Sequence, residues 1–126
     1  MNRAKIMVLF VSLLLFSLLS GGMTNPSNEK SISYTHVLFE WDQEPNAVEY
    51  ELQISDNEFF TNIISSISTE LLIYIDTESL SWDGTYYWRV RAIYAGGSVG
   101  NWLDEYIFTI LPSITSAHIT LYNEDL

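Results

Sequence analysis

Most of this chain alternates apolar and polar residues at a period of two, the spacing of a half-buried β-strand. The strongest run is residues 85–95, TYYWRVRAIYA. Tyr86, Trp88, Val90 and Ala92 fall on one face; Tyr87, Arg89, Arg91 and Ile93 fall on the other. Residues 48–55 (VEYELQIS) alternate most cleanly, with Val48, Tyr50, Leu52 and Ile54 against Glu49, Glu51, Gln53 and Ser55. Residues 34–41 (YTHVLFEW) set Val37, Phe39 and Trp41 on one side. Between these two runs, residues 42–46 (DQEPN) make a turn cluster, so the two strands are expected to form a hairpin-like pair. At least one of Phe59 and Phe60 is expected to fold back over the core. Residues 62–68 and 71–76 are short, isoleucine-rich β-prone runs, and residues 106–111 form a last strand stopped by Pro112. Residues 96–101 read as a flexible glycine-rich turn, and residues 23–33 as a linker or ragged first edge strand. Six or seven short strands separated by regular turn signals predict an all-β, two-sheet sandwich.

The first 22 residues break this pattern. Arg3 and Lys5 precede a nearly continuous apolar run from Ile6 to Leu19, and Ser20, Gly21 and Gly22 follow. That order is the layout of a secretory signal peptide, with cleavage expected near Gly22 and Ser20 as the neighbouring choice. A spanning anchor takes about 20 apolar residues. No cysteine is present, which excludes a lipoprotein attachment and a disulfide framework. The expected location is secreted, extracellular or cell-surface, with no membrane association in the mature form.

Composition narrows the partners. The chain has 16 Asp and Glu against 5 Lys and Arg, a formal charge of −11. Two of the five cations lie in the leader. Phosphate backbones repel such a chain, so nucleic acid is not an expected partner. At 48% hydrophobic and 14% aromatic residues, a core without disulfides is affordable.

Several markers, in order, give residues 34–111 a resemblance to a fibronectin type III domain of the kind common in bacterial secreted proteins. They are FEW with Trp41, Tyr50 in VEYELQIS, Leu80 ahead of Gly84-Thr85-Tyr86, the run YYWRVRA, and Trp102 before Tyr106-Ile107-Phe108. The resemblance implies a seven-stranded immunoglobulin-like sandwich. It makes Tyr86 the tyrosine-corner residue, whose hydroxyl bonds a nearby backbone group. It puts Trp88 where an immunoglobulin domain has a cysteine, with bulky packing in place of the disulfide and Trp41 as its expected partner. Trp41, Tyr50, Leu80, Tyr86, Trp88 and Val90 are the expected core. The first strand departs from the pattern, lacking its usual proline and apolar signature. Residues 112–126 are expected to be a tail or the start of a truncated second domain, with Ala117, Ile119 and Leu121 alternating.

Catalytic motifs are missing. His36 and His118 lack ligand spacing, so neither a metal site nor a Ser-His-Asp set is indicated, and no cofactor is expected. The acids Asp42 and Glu44, Asp56 and Glu58, and Asp104 and Glu105 read as solvated turn residues; none follows calcium-loop spacing. The expectation is a non-catalytic spacer or interaction module, its partners an unknown protein or neighbouring domains of a longer chain. The alternative is a glycan-binding module that stacks sugars on Trp82, Tyr87 or Trp102. Tyr87, Arg89, Arg91 and Trp102 form the candidate interaction face, with Glu49 and Glu51 as expected cross-strand partners of the arginines.

Overall fold

A computed structural model describes residues 22–114; the leader up to residue 21, residues 115–126 and His118 lie outside the described residues. Nine strands follow in order: β1 (Met23–Asn25), β2 (Lys30–Ile32), β3 (Val37–Trp41), β4 (Ala47–Ser55), β5 (Ile63–Thr69), β6 (Ile73–Asp76), β7 (Thr85–Tyr94), β8 (Val99–Trp102) and β9 (Tyr106–Ile110). They make two sheets, one ordered β1-β3-β6 and the other β2-β9-β7-β4-β5, with β8 also paired to β7. Every pairing is antiparallel except β2 with β9.

The count is nine strands rather than seven, for two reasons. Residues 96–101 are not all turn: Gly96 and Gly97, both at φ near +90°, close the turn, and Val99–Trp102 returns along β7 as β8. Residues 23–33, in turn, split into two short strands in different sheets. Pro26 lies between them. Lacking an N–H, it cannot continue a ladder, and the chain leaves β3 and joins β9 beyond it. Met23 and Pro26 are buried, so this segment supplies the apolar residue and the proline that the sequence pattern missed.

The hairpin expected between residues 34–41 and 48–55 does not form. β3 pairs with β1 and β6, whereas β4 pairs with β5 and β7 in the other sheet. Each strand carries an inward apolar row, and the two rows face one another through the interior instead of lying side by side. The rings of Trp41 and Tyr50 meet across that space at 5.8 Å. The connecting turn is fixed by the Tyr50 hydroxyl, which accepts the Glu44 N–H at 2.9 Å. A register shift between Ala47 and Glu49 turns Val48 outward, where it is half exposed.

The core is built from Val37, Phe39 and Trp41 of β3, Tyr50, Leu52 and Ile54 of β4, Trp88, Val90 and Ala92 of β7, and Phe108 and Ile110 of β9. Trp88 is completely buried, and its ring partner is Phe39 at 5.1 Å, edge-on, rather than Trp41. Tyr106 stands on another side of it at 5.9 Å, and its indole N–H donates to the Pro26 carbonyl at 3.2 Å. Rings of this size each bury on the order of 150–250 Å². Truncating Trp88 or Phe39 to Ala therefore costs about 3–5 kcal/mol. Phe60 closes over the outer side of the fold while Phe59 stays 77% exposed.

The crossing from β6 to β7 is held by a second tyrosine. The Tyr86 hydroxyl accepts the Ser81 N–H at 2.9 Å, and Leu80 is buried beneath it. Just before the crossing, buried Asp76 accepts the backbone N–H groups of Glu78 and Ser79 at 3.2 and 2.8 Å. The Tyr86 ring lies over Gly84, where an added Cβ would stand only 2.5 Å from the hydroxyl oxygen.

Two outcomes follow from the tyrosine pins. Tyr86→Phe orphans the Ser81 N–H and should lower unfolding free energy by about 1–3 kcal/mol, read as a shift in the urea midpoint. Gly84→Ala should destabilise in the same direction by driving the ring off its seat, and combining it with Tyr86→Phe should cost less than the sum. The other outcome concerns alkali. Burial pushes the Tyr50 hydroxyl above its ordinary value near 10, against the opposing pull of the Glu44 N–H. The folded state therefore keeps a proton that the unfolded chain releases. The stability tied to Tyr50 is fully present below about pH 10 and is lost as pH rises through its folded value. Urea midpoints at pH 9 and 11 should fall less steeply for Tyr50→Phe than for the natural chain.

Candidate functional site: an aromatic and guanidinium face

The odd-numbered residues of β7 point away from the core because its even-numbered ones fill it. Tyr87, Arg89 and Arg91 thus share the outer face of the larger sheet. Register decides what they meet. Across to β4, Arg89 lies opposite Gln53 and Arg91 opposite Glu51. Across to β8, Arg91 lies opposite Trp102.

These neighbours engage both arginines. Arg91 donates to Glu51 Oε2 through Nε at 2.7 Å, and its Nη2 forms an ion pair with the same oxygen at 2.6 Å. Arg89 donates to the Gln53 side-chain oxygen Oε1 through Nε at 3.1 Å and Nη2 at 2.8 Å, and reaches Glu105 at 3.5 Å. Glu49 takes no part in this pairing: it sits opposite Ile93. The Arg89 guanidinium lies 3.9 Å from the Phe60 ring centre and 4.1 Å from that of Trp102, and Arg91 lies 4.4 Å from Trp102. The result is a stack, Phe60, Arg89, Trp102 and Arg91, that the sequence pattern did not reveal. Pairing of β8 with β7 brings Trp102 there, so this tryptophan is part-buried on the outer face and does not join the inner core.

Phe60 reaches the stack because its loop is built to deliver it. The Asn57 side-chain oxygen accepts the Phe59 and Thr61 N–H groups and the Thr61 hydroxyl. The Ser55 hydroxyl donates to the Asn62 carbonyl and accepts the Asn57 N–H. Asp56 accepts the Asn62 and Asn57 side-chain amides at 2.7 and 3.0 Å, and these hold its carboxyl below the ordinary range, the Asn62 bond most of all. Phe60 sits at φ +53°, a left-handed conformation costly for a bulky residue. The S-D-N spacing was the legible sign of such a side-chain-to-backbone turn.

Of the core residues expected from sequence, Trp41, Tyr50, Leu80, Tyr86, Trp88 and Val90 are all buried. Of the expected face, Tyr87 is half-buried beside the stack, and Arg89, Arg91 and Trp102 form it. Trp82 stands apart, 45% exposed, on the connection before β7. His36 is exposed, and among the described residues no three His, Cys, Asp or Glu side chains gather as metal ligands.

The stack should matter for stability. Trp102→Ala removes a ring from both guanidinium groups at about 0.5–1 kcal/mol each, so a loss of about 1–2 kcal/mol is expected by chemical denaturation. Arg91→Lys keeps the charge but forfeits the planar fork and the ring contact, and should recover little of what Arg91→Ala loses.

Comparison with known proteins bears on the fold. No family model matches the chain, and no curated protein matches it. Among solved structures, it is similar to an Fn3-like protein from Clostridium thermocellum, at 19% identity and a TM-score of 0.54, over 71% of this chain and 88% of that one. Two packed sheets, a tyrosine at the crossing into β7 and this structural likeness together make the domain a fibronectin type III-like sandwich.

Proposed function

We propose that the chain is a non-catalytic, exported β-sandwich module that works as a rigid spacer and protein-interaction domain. The observation that carries this reading is the path of the polypeptide. Met23 pairs with Trp41 at the end where β3 crosses to β4, and Thr109 pairs with Thr85 at the opposite end. The chain thus enters the sandwich at one end and leaves at the other. The ten residues of β7 run the length between them, about 33 Å at ~3.3 Å per residue. Such a body holds whatever precedes and follows it apart. The internal contacts of Arg89 and Arg91 support the same view, because a ligand at that face would have to displace contacts already made.

The sugar-binding alternative draws support from one side chain, the exposed ring of Trp82. Trp102 suits it poorly, since two guanidinium groups already lie against its ring.

Two measurements separate these readings. In the spacer reading, replacing residues 22–114 in the producing cell by an unrelated rigid sandwich of equal length should keep a downstream tag displayed at the cell surface, whereas a Gly/Ser linker should not. An equally effective Gly/Ser linker would overturn it. Saturable binding on a glycan array that vanishes in a folded Trp82→Ala variant would establish the alternative.

A further inference from the structure

Both sheets end on the same flank of the sandwich in strands with a free side. β5 closes the larger sheet and β6 the smaller, joined by residues 70–72. The opposite flank ends in β1 and β2, of three residues each. β5 is seven residues long, IISSIST, with no charge and no proline. An open strand of this length normally carries a lysine, a proline or a bulge that blocks further pairing; here the one register shift with β4 falls at Ile64, near the start, and Ser65–Thr69 pair without interruption. Four of the exposed aliphatic side chains, Ile63, Leu71, Ile73 and Ile75, cluster in this one stretch of chain. Between residues 62 and 75 the only charged side chain is Glu70.

We propose that this flank is a self-association surface, with β5 pairing antiparallel to β5 of a second copy about a twofold axis. Charge selects that occupant. Two copies of a chain at −11 repel over most of their surface, and this flank is where they can meet with few carboxylates facing. A basic extended peptide, by contrast, finds no row of acids here to hold it. The strand is also its own complement. With Ser66 on the axis, Ile63 faces Thr69, Ile64 faces Ser68 and Ser65 faces Ile67, and the free backbone groups of both strands are satisfied. Ile73 and Ile75 of the two smaller sheets then approach along the same flank. The assembly closes at two copies, because β5 is consumed and the other edges are too short to propagate it.

Sedimentation velocity of the purified chain over a wide concentration range tests this. A monomer–dimer equilibrium is expected, tightening as salt screens the repulsion. Ser66→Lys sets two lysines opposite one another across the axis and should weaken association by roughly tenfold or more, with an unchanged urea midpoint. Ile75→Glu should weaken it as well, without touching β5. Amide exchange supplies an independent reading: β5 should be slow at high concentration and fast on dilution. A monomer at every concentration overturns the proposal. So does a dimer indifferent to both substitutions, or a monomer whose β5 is protected only by an added peptide.

Discussion

Everything in this fold depends on one contact between the sheets, the edge-on packing of Phe39 in β3 against Trp88 in β7. With no cysteine, no covalent link joins the two layers. Phe39 also meets Phe108 at 5.8 Å, and Trp88 meets Tyr106. The cluster therefore fixes the spacing of the two sheets and the seating of β9 beside β7. The indole N–H of Trp88 reaches the Pro26 carbonyl, which binds the split first strand to the same centre. A buried N–H needs a partner, and here the partner decides where residues 26–30 run. Trp41 is the counterexample. Its Nε1 is the buried side-chain polar atom, among the described residues, with no hydrogen-bond partner. Its value to the fold is volume and its ring contact with Tyr50.

The two sheets are tied together a second time by tyrosines at two of the crossings between them, β3 to β4 and β6 to β7. Tyr50 and Tyr86 are buried by their rings, and each hydroxyl accepts the N–H of a residue five or six positions earlier. In both cases a strand start is locked to the loop that leads into it. A crossing loop has no ladder to satisfy its backbone, so a hydroxyl from the next strand supplies what a neighbouring strand would. Only Tyr86 carried a recognisable marker, the Gly-Thr-Tyr that follows Leu80. Tyr50 was legible as a core residue, but nothing in its flanking sequence announced the bond its hydroxyl makes to Glu44.

This contrast marks how far the sequence could be read. Period-two alternation states which face of a strand is buried, and the faces of β3, β4, β7 and β9 were legible for that reason. It does not state which strand lies alongside. β3 and β4 have matching apolar rows, and matching rows suit two strands stacked through a core as well as two strands in one sheet. The choice rested on the Tyr50 hydroxyl and on both sides of β4 being taken by β5 and β7, neither of which is a local property. β8 was hidden because its four residues, Val-Gly-Asn-Trp, contain a turn-forming pair and alternate too briefly. Phe60 was hidden because its reach toward Arg89 depends on a left-handed backbone set by Asn57 and not on any periodicity.

The described domain has three basic residues, and its two strand arginines are spent internally on Glu51, Gln53, Glu105 and two aromatic rings. Neutralised and flattened in this way, the outer face of the larger sheet is a brace, joining β4, β7, β8 and the loop before β5. A brace there stiffens the sheet up to β5 and stops short of it. The strand left outside is β5, which carries no charge and lies at the margin of an acidic body, hydrogen-bonded to the stiffened sheet along one side. Rigidity on one face and availability at the adjoining edge thus have the same origin, the register that sets Gln53 against Arg89 and Glu51 against Arg91.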